Sequence, residues 1–170
     1  MKFLVLTDIH GSIKYLKMAM EKLNQHGCEK ILLLGDLLYH GPRNDLPLEY
    51  NPKEVINLLN SHKDSIVSVK GNCDAEVDEM VLEFPLFPEA IIQLNSNTIT
   101  LTHGHHIEDY KDEGYVLFGH THVNKCEGKL INIGSLSIPK DSHHTYAILS
   151  NEGLVSYDLL TDEIIMKVEF

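Results

Sequence analysis

Long hydrophobic runs are missing: no stretch approaches the roughly 20 apolar residues that a membrane-spanning helix needs. Cysteine is scarce. Cys28, Cys73 and Cys126 are odd in number and far apart, so no disulfide framework is expected and a reducing cytoplasm fits best. The apolar opening Lys2–Thr7 is far too short for a signal peptide and is broken by Asp8, which also favours the cytoplasm. Positive charge is outweighed, with 14 Lys and Arg against 25 Asp and Glu and a formal net charge of −11. That balance argues against a non-specific nucleic-acid or membrane surface. Repeats, linkers and low-complexity segments are absent too. What remains is an ordinary composition, 43% hydrophobic and 23% charged over 170 residues, which predicts one domain, 1–170, with a sizeable core.

Apolar runs and turn signals divide the chain. KFLVLTD reads as a buried strand emerging at Asp8, and HGS turns into a helix capped by Ser12. Ile13, Leu16, Met20 and Leu23 recur at helical spacing, and Gly27 closes that helix. Lys30–Asp36 is a second buried strand, Pro52–His62 a second helix and Ser65–Val69 a third strand. The intervening loop Leu37–Pro52 carries three prolines, and loops of that length in a compact domain are often functional. Alternation of strand and helix predicts parallel pairing with right-handed crossovers. The second half reads as strands: Ala90–Leu94 and Thr98–Thr102 around an Asn95–Asn97 hairpin, then Tyr115–Gly119, Val123–Glu127, Leu130–Ile133, Thr145–Ser150, Leu154–Leu159 and Glu163–Glu169. The expected fold is α/β, two mixed sheets face to face with helices outside. Phe84–Pro88 (FPLFP) reads as a core-covering loop, a substrate mouth or a self-association patch, which leaves a homo-oligomer open.

The ends of the apolar runs carry chemistry. In order they read D-x-H (Asp8, His10), G-D (Asp36), G-N-C-D (Asn72), T-H-G-H (His103) and G-H-T-H (His120, His122). Singly, each is more often a hydrogen-bonded or exposed residue than a ligand. Jointly, five strand ends bearing carboxylate, amide and imidazole donors suit a pair of borderline divalent ions in one crevice beyond the strands' carboxyl ends. His26, His62, His143 and His144 lie outside the motifs and read as surface residues.

These motifs resemble the calcineurin-like metallophosphoesterases, from the first strand to past residue 135. The small size, the loop Leu37–Asn44, the G-N-C-D variant and G-S-L-S-I-P-K at Gly134–Lys140 resemble its YfcE-like phosphodiesterase branch. The resemblance implies a four-layer α/β/β/α sandwich with the metal site at the strand carboxyl ends. It implies one ion on Asp8, His10, Asp36 and His122 and a second on Asp36, Asn72, His103 and His120, with Asp36 bridging. Mn2+ is the expected metal, with Zn2+, Ni2+, Co2+ or Fe compatible with the mixed N/O donors. The implied reaction is hydrolysis of a small phosphodiester by a hydroxide held between the ions. A phosphomonoesterase, or a non-catalytic scaffold like the retromer-subunit branch of the same fold, are the alternatives. Where many relatives have G-N-H, this chain has Cys73. Leaving-group protonation by Cys73, by His105 or by neither therefore stays open, as does Arg43 as a phosphate clamp.

Overall fold

The structure, a computed structural model, describes residues 1–110 and 114–170. β1 (Phe3–Leu6) is buried throughout because it is covered on both faces. Leu4 and Leu6 meet one apolar cluster while Phe3 and Val5 meet another. That double burial explains why the strand reads as an unbroken apolar run rather than an alternating one. β2 (Lys30–Leu33) divides likewise, with Ile31 and Leu33 on one side and Leu32 on the other. Truncating a fully buried leucine such as Leu32 to alanine is expected to destabilise by about 2–5 kcal/mol.

Two helices follow the early strands. α1 (Ile13–Gln25) starts at Ser12, whose hydroxyl accepts from the Tyr15 N–H, and buries Ile13, Leu16, Ala19 and Met20. α2 (Pro52–Asn60) starts at Asn51, with Pro52 in the first turn, where its missing N–H is harmless, and buries Val55 and Leu59. β3 (Ile66–Val69), the short α3 (Glu76–Glu79) and β4 (Leu86–Phe87) complete the first half. The second half contributes β5 (Ala90–Leu94), β6 (Asn97–Leu101), β7 (Tyr115–Phe118), β8 (Asn124–Glu127), β9 (Leu130–Ile133), β10 (Thr145–Ser150), β11 (Gly153–Asp158) and β12 (Ile164–Glu169).

These strands form two mixed sheets, ordered β12-β11-β10-β1-β2-β3-β4 and β5-β6-β7-β9-β8. β1, β2, β3 and β4 are mutually parallel, as the strand–helix alternation predicts, and β10 closes on β1 antiparallel. The sheets face each other across Val5, Leu32, Leu101, Leu117 and Ile131. α1 and α2 cover the other face of the larger sheet. The outer layer on the smaller sheet is slight. Among the described residues its helical segment is the 3-10 turn Ile107–Tyr110, where Ile107 borders a groove with Phe118, Val123 and Leu130.

FPLFP proves to be a core-covering edge. Phe84 and Leu86 are buried, and β4 pairs with β3 while Phe87 points outward. All four presumed surface histidines are half-buried and bonded: the His144 ring stacks on Tyr15 at 4.0 Å, His26 bonds the Tyr146 hydroxyl at 3.1 Å, His143 Nδ1 lies 3.0 Å from Asp158 Oδ2 and His62 Nδ1 3.1 Å from Leu58 O. Among the described residues no helix is long and apolar enough to cross a membrane.

Candidate metal centre

The five motif segments leave the carboxyl ends of β1, β2, β3, β6 and β7 and meet there. Backbone hydrogen bonds join them. The Asp8 N–H donates to Gly35 O at 3.1 Å, His10 N–H to Asp36 O at 2.9 Å, and Gly119 N–H to His103 O at 3.0 Å. Two glycines make the approach possible. A Cβ on Gly71 would lie 2.1 Å from Asp36 Oδ1, and one on Gly119 2.4 Å from Asp8 Oδ2. Close packing also bends the chain. Asp8, His10, Asp36, His120 and His122 all hold left-handed backbones, with φ of 52°, 46°, 55°, 67° and 61°. Such geometry costs about 1–3 kcal/mol per residue and gathers at functional sites.

Asp8, His10 and His122 form the tighter group. Asp8 Oδ2 accepts from the Thr7 hydroxyl at 2.7 Å and the His120 N–H at 3.0 Å. Its Oδ1 is buried with no hydrogen-bond partner. That oxygen lies 3.4 Å from His10 Nε2 and 3.1 Å from His122 Nε2, and the two Nε2 atoms are 3.3 Å apart. Each ring gives its Nδ1–H to a backbone carbonyl, His10 to Tyr39 and His122 to Ile138, both at 2.6 Å. In the neutral rings both Nε2 atoms therefore carry lone pairs, and three acceptors crowd one point. This arrangement is repulsive unless a proton or cation sits among them. A single ion holding N and O donors at about 2.0–2.2 Å spans a triangle of this size, so the residues fit a divalent metal. Proton occupancy has the matching signature. Burial disfavours charge on His10, but its contact with Asp8 outweighs this and raises its basicity. Asp8 is held well below the usual carboxylate range, its burial overcome by His10 and His122.

The second group is looser. Asp36 Oδ2 lies 3.3 Å from His103 Nε2 and 3.7 Å from His10 Nε2, so this oxygen stands between the two groups. Asp36 Oδ1 accepts from the Cys73 N–H at 2.8 Å. His103 gives Nδ1–H to Leu34 O at 2.8 Å, and its Nε2 is 3.0 Å from Asn72 Oδ1. Burial works against charge on His103, yet Asp36 and Asp8 push its pKa up to about 9. The His120 ring lies 5.1 Å from that of His103 and is half-buried, while Asn72 is exposed. Asp74, unlike Asp36, is spent on the backbone: its carboxylate accepts the N–H groups of Asp36, Leu37 and Gly71 at 2.7–2.8 Å. It clamps two motif loops together.

A cavity of about 670 Å³ opens over these donors, bordered by Tyr39, Arg43, Cys73 and Lys140 as well as His10, Asp36, Asn72, His120 and His122. Burial and the charge of Asp36 push the Cys73 thiol up to about 12. The loop carrying Arg43 closes over it, since a Cβ on Gly41 would lie 3.3 Å from Cys73 Sγ. His105 lies at the edge of the centre. Its ring is 5.6 Å from that of His103 and 6.2 Å from that of His120, and it borders a separate cavity with Lys70, His106 and Tyr110. Burial and neighbouring His103 lower its basicity.

Residues 1–153 match the calcineurin-like phosphoesterase superfamily domain. The chain belongs to this superfamily. It is 37% identical to the phosphodiesterase YfcE of Escherichia coli K12 over 179 aligned positions, which cover 99% of this chain and 97% of that protein. The solved structure of the E. coli phosphoesterase YfcE superposes with a TM-score of 0.92 at 36% identity, covering 99% of both chains. A single mutant of Vps29 from Entamoeba histolytica, 20% identical, shares the fold with a TM-score of 0.66 over 100% of this chain and 99% of that one. This superfamily member is a metal-dependent phosphoesterase, a hydrolase.

Two cations of this phosphoesterase border the cavity, and one of them gains meaning only in three dimensions. Arg43 is the sole arginine among the 170 residues and borders the cavity, so a count by residue type already singles it out. Lys140 went unnoticed as a site residue because G-S-L-S-I-P-K has no chemical pattern of its own. Its position follows from backbone bonds: the Lys140 N–H donates to His122 O at 2.9 Å.

Proposed function

We propose that this protein is a phosphodiesterase working with two divalent ions that share Asp36. The placement of Asp36 Oδ2 between His10 and His103, at 3.7 and 3.3 Å, carries the reading. One ion would be held by Asp8, His10, Asp36 and His122, the other by Asp36, Asn72, His103 and His120. The mixed N/O set suits Mn2+, Fe, Co2+, Ni2+ or Zn2+ over Mg2+ or Ca2+, and the family resemblance favours Mn2+ among them. Two such ions supply an activated water and compensate the charge building on the phosphate oxygens.

The chain's own groups do the rest. The carbonyls of Tyr39, Ile138 and Leu34 fix the tautomers of His10, His122 and His103, so that each Nε2 faces the reaction centre. Asp74 holds the Asp36 and Gly71 loops in register. Asn72 turns its Oδ1 to the metal side, and its NH2, which donates one N–H to Cys73 Sγ at 3.4 Å, has a second N–H for a phosphate oxygen. Arg43 clamps the substrate phosphate with its planar fork. The cavity's size suits a small molecule.

No imidazolium assists the leaving group in this reading. Cys73 stays a neutral thiol beneath the Gly41 loop, and His105 faces another cavity. Rates should then fall steeply as the leaving alcohol becomes less acidic. The test is hydrolysis of bis(p-nitrophenyl) phosphate by chelator-stripped and Mn2+-restored protein, beside p-nitrophenyl phosphate as the monoester. Metal-restored cleavage of the diester above the monoester is expected. No restored activity together with no bound metal by elemental analysis would favour a non-catalytic scaffold.

A further inference from the structure

The reaction cavity holds more positive charge than a simple diester can use. Arg43 and Lys140 both border it, and among the described residues neither has a carboxylate partner there. In a chain of net charge −11, carboxylates for such pairing are plentiful. The two cations come from separate loops. Arg43 lies in the β2–α2 loop, whose Gly41 rests on Cys73. Lys140 lies in the β9–β10 loop on the His122 side.

The base of Lys140 is fixed. Its own N–H is bonded to His122 O at 2.9 Å, the Ile138 carbonyl two residues earlier holds the His122 ring at 2.6 Å, and the Ser137 hydroxyl donates to Asp8 O at 3.0 Å. Pro139 stiffens the segment between them. The segment that orients a donor of the centre therefore also anchors the base of the Lys140 side chain beside the cavity.

The scissile phosphate of a diester carries one negative charge. On the reading above, two divalent ions, Asn72 and Arg43 already serve it. Lys140 is left over, beside a cavity roomy enough for a nucleotide-sized ligand. We propose that Lys140 is a specificity-determining residue that selects phosphodiesters bearing a second phosphate group. This rests on the phosphodiesterase reading. Lysine suits the role because a flexible point charge accepts a terminal phosphate in many poses, whereas the arginine fork demands one.

The experiment compares matched ligands that differ only in the second phosphate. Kinetics use thymidine 5′-(p-nitrophenyl phosphate) with and without a 3′-phosphate, on Mn2+-loaded wild type, Lys140→Ala and Lys140→Arg. Calorimetry on the same proteins compares thymidine 3′,5′-bisphosphate with thymidine 5′-monophosphate. The expected wild-type preference for the doubly phosphorylated partner is about tenfold or more in both kcat/KM and Kd, the effect of one charge-assisted hydrogen bond. Lys140→Ala should bring both ratios close to one, and Lys140→Arg should restore most of the preference. A wild-type ratio near one, or a ratio that survives Lys140→Ala, overturns the proposal. If neither diester is cleaved but the bisphosphate preference and its loss in Lys140→Ala appear in calorimetry, the phosphodiesterase reading fails while the phosphate site stands.

Discussion

The two donor groups of the proposed metal centre are built to different standards. On one side Asp8 Oδ1, His10 Nε2 and His122 Nε2 form a buried triangle with edges of 3.1–3.4 Å, and both rings are pinned by carbonyls. On the other, only His103 is pinned in this way, His120 is half-buried and Asn72 is exposed. A donor set whose geometry exists before the ion arrives loses little freedom on binding, whereas one that must gather its side chains gives up rotamer entropy. The triangle should therefore take its ion first and tightly, and the Asn72 side should exchange its ion readily. Loading and activity are then separable events in one site.

Removing the atom common to both halves should have the largest effect. Asp36→Asn is expected to lower kcat/KM by about a thousandfold or more and to reduce bound metal at both positions, read by steady-state kinetics and elemental analysis. Full activity in Asp36→Asn would refute the shared placement. The contrast between halves is tested next by His122→Ala and Asn72→Ala in parallel metal titrations. His122→Ala should abolish the tight binding step. Asn72→Ala should preserve that step and weaken the second by about 10–100-fold.

A third test uses protons as the competitor. In metal-free protein the His103 pKa rises from the ordinary 6.5 to about 9, because Asp36 and Asp8 outweigh its burial. A raised folded-state pKa contributes stability that is fully present below about pH 6.5 and is lost as pH rises through about 9. A bound cation takes over that role without a proton. Over this window, metal-free protein should lose Tm as the pH rises and metal-loaded protein should not, so the gap between them should widen; calorimetric melts at several pH values measure it. A constant gap would remove His103 from the competition. The smallest effect is expected of Cys28→Ser. Cys28 packs against the helix-side core and does not border the cavity, and kcat/KM should stay within about twofold of wild type.

Much of this was legible before any coordinates. Runs buried on both faces advertise themselves as unbroken apolar segments, and polar donors at their ends stand out against them. Asp8, Asp36, Asn72, His103 and His120 were placed by that contrast alone. Other features had no such contrast. The four-residue α3 is too short to show a period. β4 hides inside FPLFP, where two prolines masked an edge strand paired only at its rim. The roles of His26 and His144 depend on tyrosines far away in sequence, Tyr146 and Tyr15. Lys140 is placed by a backbone bond to another loop, and no local pattern announces such a bond. The charge of Cys73 was foreseen as neutral, but the loop resting over it was not.

The left-handed residues and the two contact glycines pull in opposite directions when the gene drifts. Replacing a strained ligand such as His120 by glycine relieves its backbone and forfeits chemistry, so inactivity can come with a sturdier fold. Replacing Gly71 or Gly119 drives a methyl group into a motif loop and leaves no such consolation. A descendant that abandoned catalysis would shed its histidines early and keep these glycines late. Glycines that persist at these two loop contacts after the donors are gone are the mark by which such a retired phosphoesterase could be recognised.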